Sequence, residues 1–382
     1  MMNTQSKPAM DNKPFSLHAS LMSAALMLPL AVASVHAETA PEKSTLSYKG
    51  LDYLDSQPDS DRISVKAHAL MLTTPINDDW SFTGTVVNDA VSGASPRYHT
   101  QRLTKMHDER HGYSAGITHY MPTGTLTATA NYSSESDYLS KSLSATGVWY
   151  TDESKNTALT AGLGITRDEI NPNNHAVVGE RKRVNDLMLG VTQVFTPTDI
   201  GQLNLRYSQG SGYYSDPYKA FDERPRERNI STVLVRWNHH FEALNGTLRS
   251  SYRYYSDTYK IRAHTLGFEY AQVLGQGWTL TPLTRLYSQS AAWFYVPYQP
   301  DPDTGQTFPA ETATYYTEDQ RMSGFGALTL GLKVSRQLSP SWLVDVKFEQ
   351  YKQKAQWGHA GGDLALPVFK ARSVQLGLSY QF

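Results

Sequence analysis

The chain has 382 residues, with 35 Lys and Arg against 36 Asp and Glu, so its net charge of −1 gives no support for nucleic acid or an acidic partner. With no cysteine it has no disulfide, thiolate metal site or cysteine nucleophile. Its mean hydropathy of −0.47 would suit a soluble protein, but a transmembrane barrel meets lipid with alternate residues only and escapes that argument.

The N-terminus reads as a leader. Lys7 and Lys13 make a basic start, Leu21 to Val35 is an apolar run, and Val35-His36-Ala37 places small residues where signal peptidase reads them. The run is short of the roughly 20 residues that a spanning helix needs. Residues 1–37 are therefore expected to be a cleaved signal peptide and residues 38–382 the exported domain. No later apolar run is long enough for a transmembrane helix.

From Ser44 onward the chain is a series of short alternating runs. "TLSYKGLDYL" (Thr45 to Leu54) is the first. Further on, Leu126, Ala128, Ala130 and Tyr132 alternate with Thr125, Thr127, Thr129 and Asn131. Val233, Val235, Trp237 and Phe241 alternate with Leu234, Arg236, Asn238 and His240. Leu328, Leu330, Leu332 and Val334 alternate with Thr329, Gly331 and Lys333. Trp342, Val344, Val346 and Phe348 alternate with Leu343, Asp345, Lys347 and Glu349. In the last run Arg372, Val374, Leu376, Leu378, Tyr380 and Phe382 share one parity. Strand side chains alternate faces, so each run is apolar on one side and polar on the other.

Connections alternate in length. Short turns fall at Pro75, Met121, Thr151, Thr196, Glu242, Val273 and Arg336, with longer polar stretches near 91–107, 169–183, 211–228, 291–319 and 352–369. Two connections on the long side, near Ser134 and Asp257, are short. Short periplasmic turns opposite long outer loops are the barrel asymmetry. Fifteen segments read clearly between Arg62 and Phe382, and single-chain bacterial barrels have even strand numbers. With Thr45 to Leu54 the expectation is an all-β, transmembrane, antiparallel up-and-down barrel of about 16 strands, or 14 if two weak segments merge.

Aromatic residues agree with a membrane: 24 Tyr, 12 Phe and 7 Trp. Trp80, Trp278 and Trp342 follow short turns, Trp149 and Trp237 precede them, and all five sit on the apolar parity. They are expected to form an aromatic girdle at the periplasmic boundary. Tyr380 and Phe382, ending an apolar-alternating strand, resemble the signal read by the barrel-assembly machinery.

"DRISVKAHALMLTTPINDDWSFTGTVVNDAVSGASPRYHT" (Asp61 to Thr100), with "VSGASPR" at its core and a charged, helical-looking or loop stretch "RLTKMHDER" after it, resembles the bacterial family catalogued as domain of unknown function 3570. "TDESKNTALTAGLGITRDEINP" (Thr151 to Pro172) resembles that family's middle region. The resemblance implies an outer-membrane barrel without a settled activity. It also implies genes often found near periplasmic redox and flavin-attachment proteins, a link these residues do not themselves show. It carries over no catalytic residue.

Function should lie on the inward parity, which holds Arg206, Arg236, Arg249, Arg253, Arg285, Lys333 and Lys347 against Glu269, Asp345 and Glu349. An excess of cations in a wet pore would concentrate anions; the bland alternative is a paired network that stiffens the wall. His239 and His240 are adjacent and would point to opposite faces, so they do not make a metal pair. "DPDTGQ" (Asp301 to Gln306) lacks the later carboxylate of a calcium loop. "QGSGYY" (Gln209 to Tyr214) misses the nucleophile-elbow spacing, leaving Ser211 as Gly-rich loop. No cofactor or metal is expected.

The stretch Ala291 to Asp319 has too many aromatics (Trp293, Phe294, Tyr295, Tyr298, Phe308, Tyr315, Tyr316) for a solvated linker. Its prolines (Pro297, Pro300, Pro302, Pro309) oppose a strand ladder. It is expected to fold over or into the barrel mouth. The favoured reading is a non-enzymatic, porin-like passive conduit for small solutes, with outer-membrane lipid and the assembly machinery as partners. A rim enzyme and a docking barrel for a periplasmic redox complex remain the alternatives.

Overall fold

The computed structural model describes residues 39–58, 60–94, 105–219, 221–297 and 312–382. The expected signal peptide, residues 1–37, lies outside the described residues. The first strands are β1 (Thr45–Gln57), β2 (Ser60–Asn77), β3 (Trp80–Ala94), β4 (Lys105–Met121) and β5 (Gly124–Ser134). Next come β6 (Tyr138–Tyr150), β7 (Thr157–Ile170), β8 (Glu180–Thr196), β9 (Asp199–Gly212) and the two-residue β10 (Asp222–Glu223). They continue with β11 (Glu227–Phe241), β12 (Gly246–Asp257), β13 (Arg262–Gly275), β14 (Trp278–Gln289) and the two-residue β15 (Tyr316–Thr317). The last are β16 (Phe325–Ser339), β17 (Trp342–Lys354) and β18 (Phe369–Gln381).

Among the described residues sixteen of these form one closed antiparallel barrel, each strand paired with the next and β1 closing on β18. β10 and β15 pair only with each other, outside the wall. Both chain ends of the barrel meet at the short-turn end, where Ser44 and Phe382 exchange backbone hydrogen bonds of 3.0 and 2.9 Å. Among the described residues closure leaves no edge of the wall unpaired, which a hydrocarbon environment demands.

Parity decides which face is which. Leu126, Leu143, Leu163, Leu187, Leu205 and Leu330 are between 43 and 64% exposed on the outer surface. In water each would forfeit roughly half of the 1.5–3 kcal/mol that full burial of such a side chain is worth; against lipid tails none is lost. Packed apolar clusters lie inside instead. One, midway along the inner face of β1 to β3, joins Leu51, Ala67, Ala69 and Val87, and another, at the long-loop end, joins Tyr259, Ile261, Ala292, Phe294 and Met322.

Three sequence expectations need correction. Lys105 to Arg110, read as helix or loop, continue β4. Ser211, read as loop, is part of β9. The 291–319 stretch, expected to make no ladder, pairs Tyr316–Thr317, beyond its last proline, with Asp222–Glu223. The wall runs past the bilayer: β2 has 18 residues and β8 has 17, where spanning takes about 9–11. Beyond the lipid a strand no longer needs apolar alternation and looks like loop.

Candidate functional site

Beside the apolar cluster of β1 to β3, the inward face has two contrasting walls. From β4 to β7 the register sets Ser114, Asn131, Ser142 and Thr166 side by side, then Gly116, Thr129, Ser144 and Gly164, then Thr118, Thr127, Thr146 and Gly162. Hydroxyls, one amide and glycines make this half of the bore small and neutral. Thr118 and Thr127 share a 2.9 Å hydrogen bond, and Asn131 donates to Ser142 at 3.0 Å. This neutral wall is legible in the sequence as the polar parity of those strands, and it carries no charge to mark it as a site.

All ten charged candidates sit on the inward register positions of β9 to β17, and they fall into two groups. Lys333 pairs with Asp345 (3.5 Å), Lys347 with Glu349 (3.1 Å), and Arg285 with Glu349 (3.5 Å). Arg206 pairs with Asp186, a partner the sequence reading did not name, at 2.7 Å. Arg236, Arg249 and Arg253 differ: among the described residues none has a carboxylate at ion-pair distance. Arg236 donates to Gln202 (3.3 Å) and Arg253 to Thr265 (3.4 Å). Glu269 stands directly opposite Arg249 in the register without closing a pair. The side chains of Arg206, Arg285 and Lys333 are 57, 50 and 39% exposed inside a closed wall, so the bore holds room for water beside them.

The five girdle tryptophans lie on the outer surface at the short-turn end, with exposures between 38 and 44%. Trp80 stacks on His119 (4.3 Å), and Trp342 stacks on Tyr380 (4.4 Å), which in turn stacks on Phe382. His239 and His240 bond separately, to Asp199 and Thr247.

At the long-loop end the connections knit into a cap. Asp222–Glu223 from the β9–β11 connection pairs with Tyr316–Thr317 from the β14–β16 connection. Around that ribbon three carboxylates meet three cations. Arg224 holds Asp222 (2.5 Å) and Asp319 (2.8 Å), Lys219 holds Asp319 (3.0 Å), and Arg321 holds Asp319 and Asp216. Asp319, Thr317 and Ser323 are fully buried. Burial alone would raise the Asp319 carboxyl, but Arg321, Lys219 and Arg224 outweigh it and hold it well below the usual carboxylate range. Tyr259 packs edge-on against Phe294 (4.9 Å) and donates to the Pro225 carbonyl (2.8 Å).

The cap crosses the mouth. Gln320 accepts from Gln57 of β1 at 3.5 Å, while its neighbour Arg321 reaches Asp216 of the β9–β11 connection. β1 and β9 lie eight strands apart in either direction round the ring. Tyr218 extends the contact to Asp137 of the β5–β6 turn and to the Asn173 backbone. Tyr295 donates to Asp363 of the β17–β18 connection at 2.8 Å, beside a cavity of about 440 Å³ also lined by Pro297, Gly361 and Leu364. Tyr298, Phe308, Pro300, Pro302, Pro309 and "DPDTGQ" lie outside the described residues.

Asp108, Glu135 and Asp137 bring carboxylate oxygens within 4.8 Å of one another at the rim. Burial pushes Glu135 up to about 8 and Asp137 up to about 6, so the group retains protons that isolated carboxyls would lose.

A family model described as "Protein of unknown function (DUF3570)" matches residues 98–382. It covers the quoted stretch Thr151 to Pro172 and begins just after "VSGASPR". No curated protein matches the chain by sequence. Among solved structures, a bacterial polysaccharide outer membrane secretin superposes with a TM-score of 0.53 at 10% identity, covering 89% of this chain and 98% of that one. OccD3 (OpdP) of Pseudomonas aeruginosa gives a TM-score of 0.47 at 10% identity, covering 98% and 99%. The likeness to the first shows the fold, an outer-membrane barrel, and nothing finer.

Proposed function

Because the chain belongs to the family described as Protein of unknown function (DUF3570), a membership that leaves its activity open, we propose from the site itself that this outer-membrane barrel is a channel for small anionic solutes. Its outer mouth is held shut by the salt-bridged cap. The observation that supports this most is the group Arg236, Arg249 and Arg253, without carboxylate partners among the described residues, in a wall whose inward charges stay half exposed. A wall built only for rigidity would pair its charges, as further round Lys333 is paired with Asp345, and Lys347 and Arg285 share Glu349. Unbalanced cations facing a small, neutral, hydroxyl-lined wall raise the local concentration of anions.

Proteoliposome swelling tests this reading. Purified barrel should admit a small carboxylate faster than an uncharged solute of equal size, and admit the matching cation more slowly. Equal rates for all three, with a swelling rate above that of empty liposomes, would contradict the anion preference. No swelling from wild type or from a cap-opened variant would favour a docking barrel instead.

A further inference from the structure

On the outer surface of β6, β7 and β8, Lys141, Arg167 and Arg183 stand directly opposite one another in the register. All three are exposed. Like charges facing each other across strands destabilise a sheet unless something neutralises them. Among the described residues none of the three has an ion-pair partner; Arg167 donates only to the Thr166 carbonyl at 3.0 Å. Glu169, the nearest outward carboxylate on these strands, stands opposite a further cation, Arg181.

Their height names what neutralises them. Trp149, Leu159 and Val191 lie side by side at the girdle level, and the three cations lie eight positions further along the same strands. At about 3.3 Å per residue and a tilt near 40°, that is roughly 20 Å along the membrane normal. Of the exposed side chains below them, Leu143, Leu163, Ile165 and Leu187 are apolar, and the polar Asn185 stands one outward step below Arg183. An apolar band of about 25 Å therefore ends where these cations begin, and their stems reach the remaining distance. The groups at that depth are the headgroups of the outer leaflet.

The same arrangement recurs on β17 and β18. Lys352 stands directly opposite Lys370, with Arg372 opposite Gln350, ten and eight positions from the stacked Trp342 and Tyr380. These cations too are exposed and have no ion-pair partner among the described residues. Two outward basic clusters at one height fit a shared anionic layer. The forked guanidinium groups of Arg167 and Arg183 suit phosphate oxygens.

We infer that Lys141, Arg167 and Arg183 form a docking site for the phosphate groups of an outer-leaflet phosphoglycolipid. Full-length purified protein in neutral detergent, titrated with diphosphoryl lipid A and read by native mass spectrometry, tests this. Wild type should retain the lipid, and the K141Q/R167Q/R183Q variant should bind it at least tenfold more weakly. Wild type should bind phosphate-stripped lipid A as weakly as that variant binds the intact lipid, an arm that decides the matter even if the variant does not fold. Inorganic phosphate at the same concentration should not compete. Equal binding of intact and stripped lipid, or equal binding by both proteins, would overturn the site; full competition by inorganic phosphate would overturn its lipid source.

Discussion

Asp319 and Arg224, 95 positions apart in the chain, meet at 2.8 Å in a fully buried contact between two outer connections. Through this carboxylate the β9–β11 connection is fastened to the β14–β16 connection, and with it one side of the mouth to the other.

Asp319→Asn keeps the shape of the side chain but leaves Lys219, Arg224 and Arg321 buried with one partner charge fewer. Breaking a buried pair from one side costs about 3–5 kcal/mol, and here the cost falls on the cap rather than on the sixteen-stranded wall. Limited proteolysis of outer membranes should show new cleavage at 213–226 and 312–324, with the heat-modified mobility of the barrel unchanged. A cap as protected as in wild type would show that the ion network does not fasten it.

The cap should also stay fastened over the ordinary acid range. A depressed carboxyl stabilises the folded state above its unfolded value near 3.8 and loses that contribution only as pH falls through its folded value, which for Asp319 lies well below. Lowering the pH from 7 to 5 should therefore leave the Asp319 contacts, read by cleavage at 312–324, unaltered; loosening there would instead trace to Asp222, whose carboxyl burial raises.

Glu135 runs the other way. Its folded value near 8 exceeds the unfolded 4.5, so the folded turn binds the extra proton. That contribution is complete below about 4.5 and is lost as pH rises toward 8. Hydrogen exchange at the β5–β6 turn, corrected for its intrinsic pH dependence, should show less protection at pH 8 than at pH 5. Glu135→Gln should remove the difference; a difference that persists would place the proton elsewhere.

Reversing Arg249 and Arg253 to Glu should move the reversal potential toward cations, since both face the bore and neither is neutralised among the described residues. Charge for charge, Arg253→Gln should shift it more than Lys333→Gln, because Asp345 stands 3.5 Å from Lys333 and no carboxylate among the described residues stands at ion-pair distance from Arg253. Equal shifts from the two changes would mean that local pairing does not set selectivity.

Deleting Phe382 should lower the amount of assembled barrel several-fold without blocking export. Its backbone closes the seam onto Ser44, and its ring continues the Trp342–Tyr380 stack. Wild-type levels in the membrane fraction would show that assembly does not read this residue.

The barrel was legible because lipid imposes a period of two: Leu126, Ala128, Ala130 and Tyr132 repeat the same compromise as Trp342 to Phe348. The tryptophans could be placed because the short turns mark one end. The cap could not be paired. Nothing periodic links Asp319 to Arg224 or Gln57 to Gln320; those contacts exist only once the ring has set the distances between loops. Lys105 to Arg110 misled for the complementary reason. They belong to a strand that outlasts the bilayer, where the apolar signal stops but the backbone ladder continues.

The central claim is a water-filled bore closed at its outer mouth by an ion-paired cap, and single-channel recording in planar bilayers measures it most directly. Wild type should be mostly closed with brief openings, and Asp319→Asn should raise the open probability several-fold while keeping anion preference. Silence from both proteins, or identical open probability, would contradict the account.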